Sequence, residues 1–506
     1  MKIVFFHASA FNKAQFCELM DEAERLYRCG NEVYFATCHG LLNSCCSNGK
    51  ANQGDCKACK LSSRISLRML SSGIKRVQMD KYIPDSLSCK WDYSDANELK
   101  TVQYKNINLG YSVLSFYISL TRNLNPLISQ DTKPFFDNLL TQGAVLAEGI
   151  SKMIDEIKPD KLCVFNGRMF DAKPALLVGL GKGIRVDVYE IMLKYPYYKV
   201  VFENHLPHDI EYNTFLFDHV WDKSVKTIEE KRIIGKSFYE KRCAGIPAGD
   251  RVFILGQKQG LLPTDWDEQK TNIAIFNSSE DEYASIGDEY DRYRFFETQI
   301  GGIKEILEMT KTNGNIHFYL RVHPNLTGIN YRYHQDLYDL PNQFSNITVI
   351  RADEPISTYS LMHAVEKVIV FGSTMGIESA YWGKPVILLA GANYYHLGAC
   401  LIPKNREELL EMIIKPLNPP QISSDVFYKF GFYTMDTERA VSPTSFSFYD
   451  FNTFTARFLG KTFHGTNCQK ILGSKKLYAW MFATLRQLLM RIYRDKYSIP
   501  LAEKID

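Results

Sequence analysis

The chain has 506 residues, which is too many for one hydrophobic core and predicts two domains. It is 45% hydrophobic and 13% aromatic, as in globular proteins with large buried sheets, and its formal net charge of +3 gives no reason to expect nucleic-acid binding. We find no apolar run of about 18 residues to span a membrane and no apolar segment of a secretory signal peptide. Twelve cysteines without such a signal favour a reducing compartment. We therefore expect a cytoplasmic, two-domain α/β protein.

The first domain is predicted at residues 1–250 and begins with a βαβ unit. A strand at Lys2–Phe6, an amphipathic helix at Lys13–Tyr27 and a strand at Glu32–Ala36 follow one another. Ligands of such sheets gather outside the carboxyl ends of the strands. His7, directly after the first strand, is therefore a candidate site residue.

Two later strands bring further polar residues to the same predicted edge. A strand at Lys161–Phe165 is followed by the sequence NGR, and a strand at Arg185–Glu190 has a carboxylate at its end. The candidate residues at these strand ends are Asn166, Arg168, Asp171 and Glu190. Ordinary polar residues at solvated strand ends would give the same pattern.

Residues 38–60 interrupt the pattern with a polar, glycine-containing segment that holds five cysteines. A tetrahedral Zn²⁺ site needs four thiolates, and a Cys-x-x-Cys pair supplies two of them from one tight turn. We therefore predict a cysteine-rich insertion with a structural zinc site whose ligands are Cys38, Cys45, Cys56 and Cys59. The same thiolates would serve an iron–sulfur cluster, and free cysteines in a flexible insertion are the alternative to both.

A second Rossmann-like domain is predicted at residues 268–420, after a linker rich in glycine, proline and aspartate at 245–267. Its central stretch, VIVFGSTMGIESAYWGKPVILL at 368–389, is typical of a strand, a glycine turn, a helix and a further strand. Earlier strands are predicted at Asn272–Phe276 and Ile316–Val322. In a parallel sheet these three strand ends would lie at one edge and could converge on one ligand.

The polar residues at the three strand ends suit a nucleotide diphosphate. A guanidinium, an imidazole and a helix N-terminus each favour phosphate oxygens. Arg321 and His323 alternate with Val322, so both should lie on one face of their strand. Glu378, one helical turn after the Ser-Thr pair, is placed to reach a ribose diol. The predicted nucleotide-binding residues are Ser278, Arg321, Gly372, Ser373, Thr374 and Glu378, with His323 as a catalytic residue.

Residues 421–506 are predicted to be an aromatic and irregular extension that ends in a helix at Lys475–Tyr497. One face of this helix is apolar and the remainder carries lysine and arginine, a pattern typical of a helix lying on a membrane surface. A helix packed across the domain interface would show the same amphipathic pattern.

The motifs RVHPN at 321–325 and FGSTMGIESAYWGKPVILL at 371–389 resemble those of the GT-B glycosyltransferases of bacterial capsule and surface-polysaccharide synthesis. The resemblance covers mainly residues 270–400. It implies that His323-Pro324 and Ser373-Thr374 contact the nucleotide phosphates and that no catalytic divalent metal is needed. UDP-N-acetylglucosamine 2-epimerases share the strand–Ser/Gly–helix–Glu pattern, so an epimerase remains an alternative.

Glycosyl transfer needs stabilisation of the departing nucleotide phosphate and, in an inverting enzyme, a base for the acceptor hydroxyl. We expect His323 to serve the first need, and His7 or Glu190 of the first domain to serve the second. The residues expected to contact donor or acceptor are Asn166, Arg168 and Asp171.

The leading hypothesis is a cytoplasmic enzyme that moves a sugar from a nucleotide-sugar donor to a glycan or lipid-linked glycan of the cell surface. If the last helix lies on the bilayer, the protein would be peripheral at the inner face of the membrane. The alternatives are a UDP-sugar 2-epimerase and a non-catalytic subunit that binds nucleotide sugars or glycans.

Overall fold

The structure is a computed structural model and describes residues 1–11, 13–84, 87–192, 198–249, 253, 256–329, 331–436, 455–458, 461–464 and 475–500. The chain divides into two compact units. Unit 1 comprises residues 1–207 and 440–501, and unit 2 comprises residues 208–439 and 502–506.

Strands and helices are numbered here along the chain. The strands are β1 (Lys2–His7), β2 (Glu32–Thr37), β3 (Lys75–Gln78), β4 (Gln103–Tyr104), β5 (Ile107–Asn108), β6 (Lys161–Phe165), β7 (Arg185–Met192), β8 (Tyr198–Glu203), β9 (Thr271–Phe276), β10 (Ile316–Arg321), β11 (Ile347–Ile350), β12 (Lys367–Val370), β13 (Val386–Leu388), β14 (Thr455–Phe458) and β15 (Lys461–His464).

The helices of the first unit, up to the end of β8, are α1 (Lys13–Arg28), α2 (Gln53–Leu67), α3 (Ala96–Thr101), α4 (Gly110–Thr121), α5 (Lys133–Ile157) and α6 (Lys173–Gly181). Those that follow are α7 (Ile210–Lys223), α8 (Ile228–Cys243), α9 (Glu280–Tyr283), α10 (Asp288–Asp291), α11 (Gln299–Thr310), α12 (Arg332–Tyr338), α13 (Leu340–Gln343), α14 (Thr358–Ala364), α15 (Met375–Tyr381), α16 (Arg406–Ile414), α17 (Asp425–Met435) and α18 (Lys475–Ile492).

Unit 1 is built on a six-stranded sheet with the strand order β3-β2-β1-β6-β7-β8. Its pairs are parallel except that β8 runs antiparallel to β7. The strand order reverses between β1 and β6, and the crevice at such a reversal is where ligands of Rossmann-like sheets bind. His7 ends β1 and Asn166 follows β6, so these two predicted site residues flank the reversal.

Unit 2 is built on a five-stranded, fully parallel sheet with the order β11-β10-β9-β12-β13. Here the order reverses between β9 and β12. The buried faces of the strands pack on helices through one apolar cluster that includes Ile275, Ile303 and Ile369. The prediction of an α/β protein with two Rossmann-like sheets is therefore confirmed.

The cysteine-rich segment is part of the sheet's own connectivity rather than an insertion. Residues 38–52 form the loop between β2 and α2, and α2 leads into β3, which pairs in parallel with β2. The side chain of Asn52 caps α2 by accepting hydrogen bonds from the N–H groups of Gly54 and Asp55. The prediction of a cysteine-rich insertion missed this helix because the apolar periodicity of α2 is weak.

The division between the units differs from the domain boundaries predicted at 250 and 268. Helix α8 crosses α17 so closely that a Cβ on Gly235 would lie 2.3 Å from the carbonyl oxygen of Tyr428. Arg242, near the end of α8, is ion-paired with Glu378 of α15 at 3.0 Å. Residues 208–250, the end of the predicted first domain, therefore belong to unit 2. Residues 421–439, the start of the predicted extension, belong to unit 2 as well.

Helix α18 returns to unit 1 and packs on the start of α2. A Cβ on Gly54 would lie 2.2 Å from the carbonyl oxygen of Leu489, so the two backbones are in direct contact. Arg486 pairs with Asp55 at 2.6 Å, and the side-chain amide of Asn52 donates to the carbonyl oxygen of Tyr493 at 2.6 Å. One side of α18 is therefore a packing surface of unit 1. In the described part of the chain, no helix combines the length and apolarity that a membrane span requires.

Candidate functional site

The predicted nucleotide residues lie at the carboxyl edge of the unit 2 sheet. Asn277, Ser278 and Ser279 follow β9, and Gly372 and Ser373 come shortly after β12, on the two sides of the strand-order reversal. The topology of unit 2 therefore brings the Ser278 and Gly372 motifs together, as predicted.

His323 is held two residues beyond β10, next to that reversal. Its backbone N–H donates to Oδ1 of Asn277 at 2.9 Å, and its ring Nδ1 accepts from the backbone N–H of Asn325 at 3.2 Å. Burial, with a smaller contribution from the nearby Arg321 charge, lowers the pKa of His323 to about 4. The ring is therefore neutral at neutral pH, and because Nδ1 accepts, its proton lies on Nε2. His323 is thus a neutral N–H donor.

The Arg321 guanidinium is held by backbone carbonyl groups. The side chain is 3% exposed and donates to the carbonyl oxygens of Arg351 and of Glu354, the latter at 3.1 Å. It therefore holds the 351–354 loop, and its charge acts on His323 from a distance. The direct contact of Arg321 with a nucleotide stays a prediction.

The Gly372-Ser373-Thr374 turn requires its glycine. Gly372 has φ +79°, and a Cβ at this position would lie 2.6 Å from the carbonyl oxygen of Gly391. The Ser373 hydroxyl accepts from the N–H of Met375 at 3.3 Å, and Thr374 is exposed. The turn thus offers an exposed hydroxyl beside a tightly packed backbone.

Glu378 is fully buried, and its carboxylate is engaged within unit 2. One oxygen accepts from Nε of Arg242 at 3.0 Å and from the Tyr359 hydroxyl, and the other lies 3.0 Å from a second guanidinium nitrogen. The carboxylate therefore ties α8 and α14 to α15. Its contact with ribose stays a prediction.

A small pocket lies beside this edge of unit 2. Ser278, Gln299 and Gly391 line it together with the aromatic ring of Tyr290 and the side chain of Arg294. The Gln299 amide donates to the Ser278 hydroxyl at 2.7 Å, which leaves the hydroxyl proton of Ser278 to point elsewhere. The pocket places aromatic rings beside hydroxyl, amide and guanidinium groups.

The second group of predicted site residues lies at the carboxyl edge of the unit 1 sheet. Nδ1 of His7 accepts from the backbone N–H of Ser9 at 3.2 Å, and the ring meets Phe16 edge-on. Burial lowers the pKa of His7, and the nearby carboxylate of Asp171 partly opposes this shift. His7 is therefore neutral near neutral pH, the protonation state that a general base needs.

The remaining unit 1 candidates form separate contacts. The Asn166 amide donates to a Glu190 carboxylate oxygen at 2.6 Å, and Arg168 donates to the Ser115 hydroxyl. The carboxylate of Asp171 accepts from both the backbone N–H and the thiol of Cys46, each at 2.8 Å. Asp171 is thereby associated with both His7 and the cysteine segment.

The four cysteines predicted as metal ligands line a single small pocket in unit 1. All four are free thiols. As the side chains stand, no group of three His, Cys, Asp or Glu residues in the described ranges is arranged to hold a metal ion. The structure brings the predicted residues together but does not arrange them around one point.

Comparison with known proteins gives one match within unit 2. Residues 293–400 match the family described as capsule polysaccharide biosynthesis protein. This segment contains the RVHPN and GST motifs, so the resemblance noted for these motifs is confirmed there. No curated protein sequence matches the chain.

Solved structures resemble the chain only weakly. Two are transferases of Thermosulfurimonas dismutans: KpsC beta Kdo 2,4 transferase (14% identity, 54% of this chain and 78% of that chain, TM-score 0.33) and KpsC beta Kdo 2,7 transferase (14%, 67% and 89%, 0.32). A third is a putative UDP-N-acetylglucosamine 2-epimerase from Listeria monocytogenes (10%, 87% and 93%, 0.27). At these identities and TM-scores, the similarity does not establish a fold or an activity for this chain.

The sequence reasoning missed the residues that hold the predicted ones in place. Asn277 and Asn325 position His323, and Gln299 orients the Ser278 hydroxyl. Asn325 stands two residues after the histidine in RVHPN, so the motif itself could have indicated that Asn325 positions His323. Gln299 is 21 residues from Ser278, and no local pattern connects the two.

Proposed function

We propose that the protein is a glycosyltransferase that moves a sugar from a nucleotide-sugar donor to a glycan acceptor in capsule or other surface-polysaccharide synthesis. The family match over residues 293–400 carries this proposal, because that segment holds both motifs of the unit 2 edge. The neutral N–H donor at His323 and the turn at Gly372 give the match a physical basis.

Unit 2 would bind the donor. The Nε2–H of His323 donates to an oxygen of the departing phosphate, and the hydroxyls of Ser278 and Thr374 supply further donors. Charge develops on this oxygen as the bond from the anomeric carbon to the phosphate breaks and the electron pair leaves with the nucleotide. Fixed donors aimed at that oxygen lower the barrier without a divalent cation.

Unit 1 would supply the acceptor site and the base. The acceptor hydroxyl loses its proton as its oxygen bonds to the anomeric carbon. In a neutral His7 whose Nδ1 accepts from the Ser9 N–H, the ring proton lies on Nε2. Nδ1 is therefore the nitrogen that would take the proton of the acceptor hydroxyl, in place of the hydrogen bond from Ser9, and the nearby carboxylate of Asp171 would stabilise the resulting imidazolium. Glu190, held by Asn166, is the alternative base.

Helix α18 suggests where this chemistry takes place. Leu488 and Ile492 are 56% and 64% exposed, and the exposed Arg491 and Arg494 lie beside them. We propose that this side of α18 rests on the inner face of the cytoplasmic membrane, next to a lipid-linked acceptor.

The first experiment is a thermal-shift screen of the purified protein against UDP-, GDP-, CMP-, CDP- and dTDP-linked sugars and the free nucleotides. A ligand that binds only the folded state raises the melting temperature, and one nucleotide class should stand out. Release of that nucleotide from the sugar only when a glycan acceptor is present then identifies transfer.

The same assay separates the rival functions. A 2-epimerase would alter the donor sugar without any acceptor, and a binding subunit would show the thermal shift without turnover. No shift with any donor or nucleotide would contradict the proposed donor site.

A further inference from the structure

The strongest feature outside the proposed transferase site is the cysteine pocket of unit 1, which brings together residues of one loop and of the helix that follows it. Cys38 and Cys45 lie in the loop between β2 and α2, and Cys56 and Cys59 lie in the first two turns of α2. The spacing of three places the last two on one side of the helix. All four side chains line the same pocket.

The four cysteines share one pocket to different depths. Cys38 and Cys45 are buried, and Cys56 and Cys59 are partly buried.

Backbone donors already point at the first of these sulfur atoms. The N–H groups of Gly40 and Leu42 both donate to Sγ of Cys38. Gly40 has φ +78°, and its Cα packs beside the backbone of Cys56. A turn that aims N–H groups back at a cysteine sulfur stabilises a thiolate more than a thiol, as around metal-bound cysteines.

The two helical cysteines are supported in the same way. The Asn48 amide donates to Sγ of Cys56 at 3.2 Å. Backbone N–H groups of Ala10 and Phe11 donate to Sγ of Cys59. Donors from two loops, the one after β1 and the one between β2 and α2, are thus directed at three of the four sulfurs, an arrangement that a set of unrelated free thiols does not require.

One side of the pocket carries the ion pair between Arg486 of α18 and Asp55, at 2.6 Å. The N-terminus of α2, a helix of 15 residues, adds a partial positive charge. This partial charge would offset part of the double negative charge of one Zn²⁺ bound to four thiolates.

We propose that Cys38, Cys45, Cys56 and Cys59 bind one thiophilic metal centre, either a Zn²⁺ ion or an iron–sulfur cluster. Zinc would require the four sulfurs to come within about 2.3 Å of one point. The cysteine side chains must therefore turn inward from their present positions. Binding of Zn²⁺ forms four Zn–S bonds and releases four thiol protons to solvent, without any change of oxidation state.

Such a centre would also position the end of β1. The Ser9 hydroxyl lies 3.7 Å from Sγ of Cys59, and the Ser9 N–H donates to Nδ1 of His7. The metal centre would thus hold the loop that orients His7, whether or not His7 acts as a base.

The direct test is metal analysis and absorption spectroscopy of the full-length protein, purified from cells supplied with zinc and iron. We expect about one zinc per chain without visible absorption, or iron with inorganic sulfide and broad visible absorption. Either outcome supports the site and identifies its occupant. Neither metal in stoichiometric amount, together with no thiolate charge-transfer band on titration with Co²⁺, would overturn it.

A pair of double variants tests the ligands. Cys56→Ser/Cys59→Ser should lose the metal, whereas Cys29→Ser/Cys89→Ser, which changes two cysteines outside the pocket, should retain it. Full metal content in the first variant would refute the assignment. If that variant does not fold, a mercurial thiol reagent should release the metal from the wild-type protein. Failure to release it would refute the assignment equally.

Discussion

The backbone N–H of Asn325 donates to Nδ1 of His323 at 3.2 Å, and this one contact determines what the histidine can do. With Nδ1 occupied as an acceptor and the pKa lowered to about 4 by burial, the ring keeps its proton on Nε2. His323 is therefore a hydrogen-bond donor without a charge, suited to a phosphate oxygen that gains charge during the reaction.

Removing the hydrogen-bond donor Nε2–H of His323 should slow turnover. We expect His323→Ala to lower kcat/KM about 100- to 1000-fold, as for the loss of a single donor to a developing oxyanion, and His323→Gln to retain part of the activity. The rate of nucleotide release at varied concentrations of the nucleotide sugar measures kcat/KM. His317→Ala is the matched control, since His317 lies on β10, the strand that leads to His323, but bonds to Thr348. Unchanged kinetics in His323→Ala would remove the residue from the site.

The lowered pKa of His323 also predicts a pH-dependent stability. As pH falls from about 6.5 to about 4, the unfolded chain binds a proton that the folded protein excludes, so the free energy of unfolding decreases across this window. The loss is on the order of 3 kcal/mol. Chemical denaturation at about pH 7.5 and about pH 5 should show a smaller loss for His323→Gln than for the wild type. Equal losses would contradict the assigned pKa.

Gly372 should be required for two reasons: its positive φ and its close approach to the backbone of Gly391. Gly372 and Gly383 both have φ +79°, but only at Gly372 would a Cβ meet a backbone atom, the Gly391 oxygen at 2.6 Å. We expect Gly383→Ala to cost about 1 kcal/mol and Gly372→Ala clearly more, because the second change must displace backbone. Denaturation curves measure both variants. Equal costs would show that the close approach to Gly391 is unimportant.

Glu378 should matter mainly for stability. Glu378→Gln leaves Arg242 buried without its counter-charge and should cost about 3–5 kcal/mol, and adding Arg242→Met should recover part of the loss. Glu411→Gln, which breaks an exposed pair with Lys415, should cost less than about 0.5 kcal/mol. If Glu378→Gln instead keeps its stability but loses donor affinity, the residue contacts ribose as first predicted.

Membrane contact through α18 is testable with vesicles of phosphatidylserine and phosphatidylcholine. Leu488→Asp/Ile492→Asp should abolish co-sedimentation, because it places two charges on the exposed apolar side of the helix. Val225→Asp/Ile233→Asp, which alters exposed apolar residues of unit 2, should leave binding unchanged. Co-sedimentation that survives the first double change would exclude this surface.

Local sequence signals were enough to place the strands and the polar residues at their ends. Buried apolar runs such as VIVF, ended by Gly372, and KLCVF, ended by Asn166, are short patterns that one chain segment determines alone. For the same reason the α/β class, two Rossmann-like sheets and the central strand–turn–helix–strand unit were all predictable. The histidine at the end of β10 belongs to this group.

Only the tertiary structure decided which side chains the polar residues meet. Arg321 points to the 351–354 loop, Glu378 to an arginine 136 residues earlier in the chain, and Cys46 to Asp171, 125 residues later. Strand order, the close crossing at Gly235 and the return of α18 to unit 1 likewise depend on long-range packing. Periodicity along a chain reports which face of an element is buried, but the partner that buries it is selected by the free energy of the whole fold.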